Sequence, residues 1–156
     1  MTTDLPSPSP DTTYQLEETI GFLLGRLKHR MTLELDEELK SLDISAAQWV
    51  ILMRIATGLI KTSAELCRCF SYDTGSMTRM LDRLEEKGLI SRRRSAADRR
   101  IVELALTEAG HHSYPKLKAC GRRLADRMLQ GISETEVDLF KSLIRRMQAN
   151  LEHKEV

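Results

Sequence analysis

From Leu16, apolar residues recur every three or four positions through Ile20, Leu23, Leu27, Met31, Leu35 and Leu39. That period predicts one long helix with an apolar stripe, too long to bury wholly against one small domain. Thr12-Thr-Tyr-Gln15 fits a capping box at its start. The same signature at Ser45-Ala-Ala-Gln48 opens a second helix through Trp49, Leu52, Met53 and Ala56, with Gly58 as its stop. A third, Thr62-Ser-Ala-Glu65, opens a short helix ending near Phe70. After a turn at about Ser71 to Asp73, Met77, Met80, Leu81 and Leu84 mark one face of a fourth helix that ends at Gly88. The period then changes. Leu89 and Ile90, and the alternation of Val102, Leu104 and Leu106, predict two short strands around the polar tip Arg92-Arg-Arg-Ser-Ala-Ala-Asp-Arg-Arg100. Thr107 caps a fifth helix past Leu117, Leu124 and Met128, and Ser133-Glu-Thr-Glu136 caps a sixth through Val137, Phe140, Leu143, Ile144 and Met147.

A short helix, a tight turn, a second helix and a β-hairpin make the winged form of helix-turn-helix. The fold predicted is therefore mainly α with a small β-hairpin: a winged helix-turn-helix with N- and C-terminal dimerisation helices. Residues 1–11, with Leu5-Pro-Ser-Pro-Ser-Pro10, read as a disordered arm. Residues 12–152 read as a single domain, with the winged helix at about 45–106 and the dimerisation helices at about 12–42 and 107–152. The stripes of those outer helices need a partner, and a second copy of the chain supplies one.

Composition narrows the classes. The 156 residues suffice for one domain with a real core. No apolar run approaches the ~18 residues that span a bilayer, so no membrane role is expected. The first ten residues hold neither a basic residue nor an apolar core, so no signal peptide is expected and the chain reads as cytoplasmic. Three cysteines, an odd number, argue against a disulfide framework.

The net charge of +1, from 24 Lys and Arg against 23 Asp and Glu, taken alone argues against a nucleic-acid partner. Its distribution reverses that impression. Residues 61–100 hold ten basic and six acidic side chains, a local charge of +4 that leaves −3 elsewhere. Five arginines fall between Arg92 and Arg100. Most charge runs are solvated faces, but guanidinium forks suit phosphates and narrow minor grooves, and this run follows a helix-turn-helix pattern. Asp73-Thr-Gly-Ser-Met-Thr-Arg79 places small and hydroxylic residues on the first turns of the fourth helix. Such a helix start either caps an ordinary surface helix or approaches base edges and phosphates closely. Thr74, Ser76, Thr78 and Arg79 are the candidates there.

Thr78-Arg-Met-Leu-Asp-Arg-Leu-Glu-Glu-Lys-Gly-Leu-Ile90, then Asp98-Arg-Arg100 and Leu104-Ala-Leu-Thr-Glu-Ala-Gly110, resembles the multiple antibiotic resistance regulator (MarR) family over about residues 12–152. The resemblance implies a homodimeric winged-helix transcription factor, usually a repressor, on a pseudo-palindromic double-stranded DNA operator. It implies that the fourth helix enters the major groove, with Gly75 to Arg79 matching the contacting turn. Arg100 would be the minor-groove arginine, oriented by Asp98, with Arg99 on phosphate and Arg94 beside them. The resemblance further implies release by a small aromatic or phenolic effector, with no cofactor. No motif marks that pocket. Trp49 reads either as core or as a stacking platform, and Arg26 and His29 either as solvated cations or as carboxylate partners.

Glu65-Leu-Cys-Arg-Cys69 is similar to the metal box of the ArsR metalloregulators, which motivates an alternative: a thiol- or metal-responsive DNA-binding switch using Cys67, Cys69 and Cys120. Its register differs, however, lying at the end of the short helix. Residues i and i+2 on a helix also diverge by about 200°. His111 and His112, neighbours on a helix, are poor co-ligands for the same reason. Gly-x-Ser-x-Gly, phosphate-loop and His-Glu-x-x-His motifs are all missing, so no enzyme is expected.

Overall fold

In a computed structural model the structure describes residues 15–70 and 73–152. The proline- and serine-rich arm, the Thr12 capping box and the turn at residues 71–72 lie outside the described residues. Helix α1 (Ile20–Leu39) follows a 3-10 turn at Leu16–Glu18 and is capped by Thr19, whose hydroxyl accepts from the Phe22 N–H at 3.3 Å. The long helix therefore starts later than the apolar stripe suggests, because Leu16 belongs to the separate turn. Helices α2 (Ala46–Ala56), α3 (Ser63–Phe70) and α4 (Thr74–Glu86) come next. Strands β1 (Ile90–Arg94) and β2 (Val102–Leu106), then α5 (Glu108–Met128) and α6 (Glu134–Glu152), complete the order.

The local signals act as their chemistry requires. Ser45 and Gln48 close both halves of a capping box, and so do Thr62 with Glu65 and Ser133 with Glu136. Each satisfies N–H groups that a helix start otherwise leaves orphaned. Gly58 and Gly88 take positive φ just past α2 and α4, a backbone state that suits glycine.

One core holds these elements together. Leu39, Ile51, Leu52, Leu66, Met77, Leu84, Ile90 and Leu117 are almost wholly buried, joining α1, α2, α3, α4, β1 and α5. Each such side chain contributes roughly 1.5–3 kcal/mol of transfer free energy. Only the C-terminal half of α1 shares in this core: Leu35 and Leu39 are buried, whereas Ile20, Leu23 and Leu27 are exposed. No residue of α6 is buried, and Leu139, Phe140 and Leu143 face solvent.

The hairpin departs from its sequence reading in one respect. The polar tip expected from Arg92 to Arg100 begins later, because Arg92, Arg93 and Arg94 pair in register with Leu104, Glu103 and Val102. Three of the five arginines therefore belong to a strand. The second strand is tied in turn to the start of α3, through Leu104 N–H to the Lys61 carbonyl at 2.8 Å and a bridge between Thr62 and Glu103.

Candidate nucleic-acid interface

Asp73 sets up the exposed end of α4. Its carboxylate accepts the Ser76 N–H at 2.8 Å, and hydrogen bonds from Ser76, with Arg79 nearby, hold that carboxyl below the usual range. Arg79 donates to the Ser76 hydroxyl at 3.0 Å, one turn away on the same face. Thr78 donates back to the Thr74 carbonyl at 2.8 Å, leaving its oxygen able to accept. Thr74, Gly75, Thr78 and Arg79 are exposed and Ser76 is half-buried, while Met77 between them anchors the helix in the core. At Gly75 a Cβ would come within 3.2 Å of the Asp73 carboxylate, so a larger residue would crowd the cap.

The tip of the wing is built by short-range bonds. Ser95 N–H donates to the Ile101 carbonyl and Ile101 N–H to the Asp98 carbonyl, each at 2.9 Å. Asp98 accepts the backbone N–H of Arg100 at 2.9 Å, an Asx-type turn. It therefore positions Arg100 through the main chain, not by gripping its guanidinium. Arg94 reaches the Arg99 carbonyl at 3.5 Å. Among the described residues, Arg99 and Arg100 have no carboxylate partner, so their guanidinium groups are available to an external anion.

Arg92 differs from its neighbours. It pairs with Asp82 and Glu85 of α4, each at 2.6 Å, and the pairing depresses the Glu85 carboxyl and raises the Arg92 guanidinium. Sequence reading missed this: the spacing of Asp82 and Glu85 on α4 is visible, but not that β1 passes beside them.

A separate hollow lies between α1, α2 and α5. A cavity of about 420 Å³ is lined by Lys28, Met31, Thr32 and Leu35 from α1, by Trp49 and its neighbours on α2, and by Leu124, Ala125 and Met128 from α5. Trp49 is thus both packed on the core and part of a cavity wall. Its indole N–H donates to the Leu117 carbonyl at 2.7 Å, and its ring covers Gly121, where a Cβ would sit 2.5 Å from the ring edge. Arg26 and His29 do not line the cavity. Positions 28, 31, 32 and 35 share one helical face, and 26 and 29 fall off it. The Arg26 guanidinium instead lies 5.9 Å from the Phe22 ring centroid.

The cysteines are dispersed in character. Cys67 is half-buried against the core, Cys69 is exposed and Cys120 is buried, and all three are free. The two on α3 sit in different environments, as their spacing predicts. Among the described residues no three His, Cys, Asp or Glu side chains group to hold a metal, and no helix is long and apolar enough to cross a membrane.

A capped helix with an open first turn, beside a hairpin whose tip carries unpaired arginines, defines a winged helix-turn-helix protein. Comparison with known proteins agrees. The MarR family pattern matches residues 44–102. Wild-type MarR from E. coli in its apo form is 31% identical, with 83% of this chain and 96% of that one covered at a TM-score of 0.69. A cysteine-to-serine mutant of E. coli MarR complexed with operator DNA is 30% identical, with 86% and 99% covered at 0.73. The transcriptional regulator SlyA is 25% identical, with 85% and 93% covered at 0.77. The chain belongs to the MarR family, and is a transcriptional regulator rather than an enzyme.

Proposed function

We propose that the chain binds a pseudo-palindromic double-stranded DNA operator as a homodimer, represses from it, and releases it when a small aromatic or phenolic molecule enters the cavity beside Trp49. The observation that carries the DNA reading is that one winged-helix unit offers both the exposed first turns of α4 and a wing tip whose Arg99 and Arg100 have no carboxylate partner among the described residues. Thr74, Gly75, Ser76, Thr78 and Arg79 would approach the major groove, and Arg94, Arg99 and Arg100, shaped by Asp98, the flanking minor groove and phosphates. In this reading residues 45–106 form the DNA-binding part. The exposed apolar stripes of α1 and α6, including Ile20 at 62% and Leu139 at 60% exposure, bury against a second copy.

A duplex enriched from a random-sequence pool by the purified protein tests this reading. The complex is expected to contain two chains, and log K to fall steeply and linearly with log salt, because phosphate contacts release counterions. A monomeric complex or a flat salt response would overturn it.

The cavity is within the ordinary size range for small-molecule sites, and Lys28 and Thr32 are the polar groups on its α1 wall. Trp49 is the only tryptophan, so its fluorescence reports on this wall alone. Titration with 2-hydroxybenzoate should quench it saturably and loosen the DNA complex over the same range. Ala125→Leu, which fills the cavity, should weaken that binding about ten-fold or more. A linear, unsaturable quench unaffected by Ala125→Leu would remove the effector assignment for this class of ligand.

A further inference from the structure

The wing is held at its root on both edges. On the β2 side, Leu104 N–H bonds to Lys61 O and Thr62 bridges to Glu103. On the β1 side, the outward edge of the strand meets a carboxylate of α4: the Arg92 N–H donates to Glu85 Oε1 at 3.2 Å. The Arg92 side chain closes the same contact. Its Nε and Nη2 reach Glu85 Oε2 at 2.8 and 2.6 Å, and Nη2 also reaches Asp82 Oδ1 at 2.6 Å. Cross-strand register explains the direction. Arg92 opposes Leu104, which is buried, whereas Arg93 opposes exposed Glu103 on the other face of the sheet.

We propose that Arg92 is a positioning residue, a latch that fixes the wing on the recognition helix so that the tip arginines and the first turns of α4 meet one duplex together. This rests on the DNA reading above. Asp82 and Glu85 stand on the same helix as Ser76 and Arg79, two and three turns from its start. A grip on them sets the angle between the strand and the groove-entering helix. A planar fork with two donors on one carboxylate holds that angle, whereas an ammonium group supplies charge without orientation. The local bonds of the tip, Asp98 to Arg100 and Ser95 to Ile101, shape the turn but do not join it to α4.

A latch and a mere contribution to charge predict opposite signs. Asp82→Asn with Glu85→Gln removes two negative charges near the duplex. Charge alone would then strengthen binding to every sequence. A broken latch instead weakens specific binding, since the wing no longer holds its place. The wild-type-enriched duplex and an unrelated duplex of equal length are therefore compared for the full-length protein. The double variant is expected to lose about ten-fold or more in affinity for the enriched duplex, while the unrelated one is bound equally or better. Arg92→Lys, which conserves charge, is expected to show a smaller loss in the same direction. Amide exchange across residues 90–94 should accelerate in both variants without DNA, while α2 and α5 keep their protection. Parallel gains on both duplexes, or an unchanged affinity for Arg92→Lys with unchanged exchange, would overturn the latch. If the wild-type protein enriches no duplex, the DNA reading fails, and unchanged exchange would then sink the latch on its own.

Discussion

Replacing Arg100 with alanine is expected to reduce affinity for the enriched duplex by roughly 100-fold, while the oligomeric state and the thermal midpoint stay as they were. Arg100 has no carboxylate partner among the described residues, so the substitution breaks no internal ion pair. The proposed dimer would lose two such side chains, and the slope of log K against log salt should drop by about one per copy. Asp98 refines the prediction. Its carboxylate receives the Arg100 backbone N–H, a bond that an amide oxygen can also accept, so Asp98→Asn should retain most of the affinity and Asp98→Ala should not. Were Asp98 gripping the guanidinium, both changes would be equally damaging. Gel shifts at several salt concentrations read all three variants. An Arg100→Ala protein with wild-type affinity would refute the wing assignment.

The second large effect concerns stability. Gly110→Ala is expected to cost about 3 kcal/mol, although helix propensity alone favours alanine over glycine by about 1 kcal/mol. Gly110 is buried in the first turn of α5, and a Cβ there would lie 2.1 Å from the Leu89 carbonyl oxygen and 3.2 Å from the Leu106 Cβ. The carbonyl cannot simply retreat. It accepts the Thr107 N–H at 3.1 Å, and the Thr107 hydroxyl bonds to the Gly88 carbonyl while capping α5 through the Gly110 N–H. Making room therefore separates the α4–β1 turn from the start of α5 and loses bonds on both sides. Urea unfolding followed by helical circular dichroism measures the loss. A midpoint at or above that of the wild type would mean that the two turns are not locked together.

Much of this architecture was legible in the chain. Helix starts at Ser45, Thr62 and Ser133 could be read because a capping box is written within four residues. The strands could be read because Val102, Leu104 and Leu106 alternate. The start of α1 was less legible: Thr19 caps it without the acidic or amide residue three positions on that marks a box, so the apolar stripe suggested an earlier beginning. In the cavity, Trp49 was visible as a candidate, but Gly121 was not. A mid-helix glycine announces its reason only when the indole it admits is known to lie over it.

The local charge of +4 was also a property of sequence, since counting residues 61–100 needs no coordinates. Which of those charges remain available was not. Arg92 and Arg100 are the same residue type eight positions apart, at the two ends of what reads as one basic run. The first is turned by strand register onto Asp82 and Glu85, and the second is carried past them by the turn at Asp98. Caps, periods and turns depend on neighbours within about four residues and so are determined by sequence. Ion pairing across elements depends on which strand face meets which helix, and on the short range over which charges pair in water, so only the tertiary structure divides the arginines into those that hold the wing and those that are free to reach out from it.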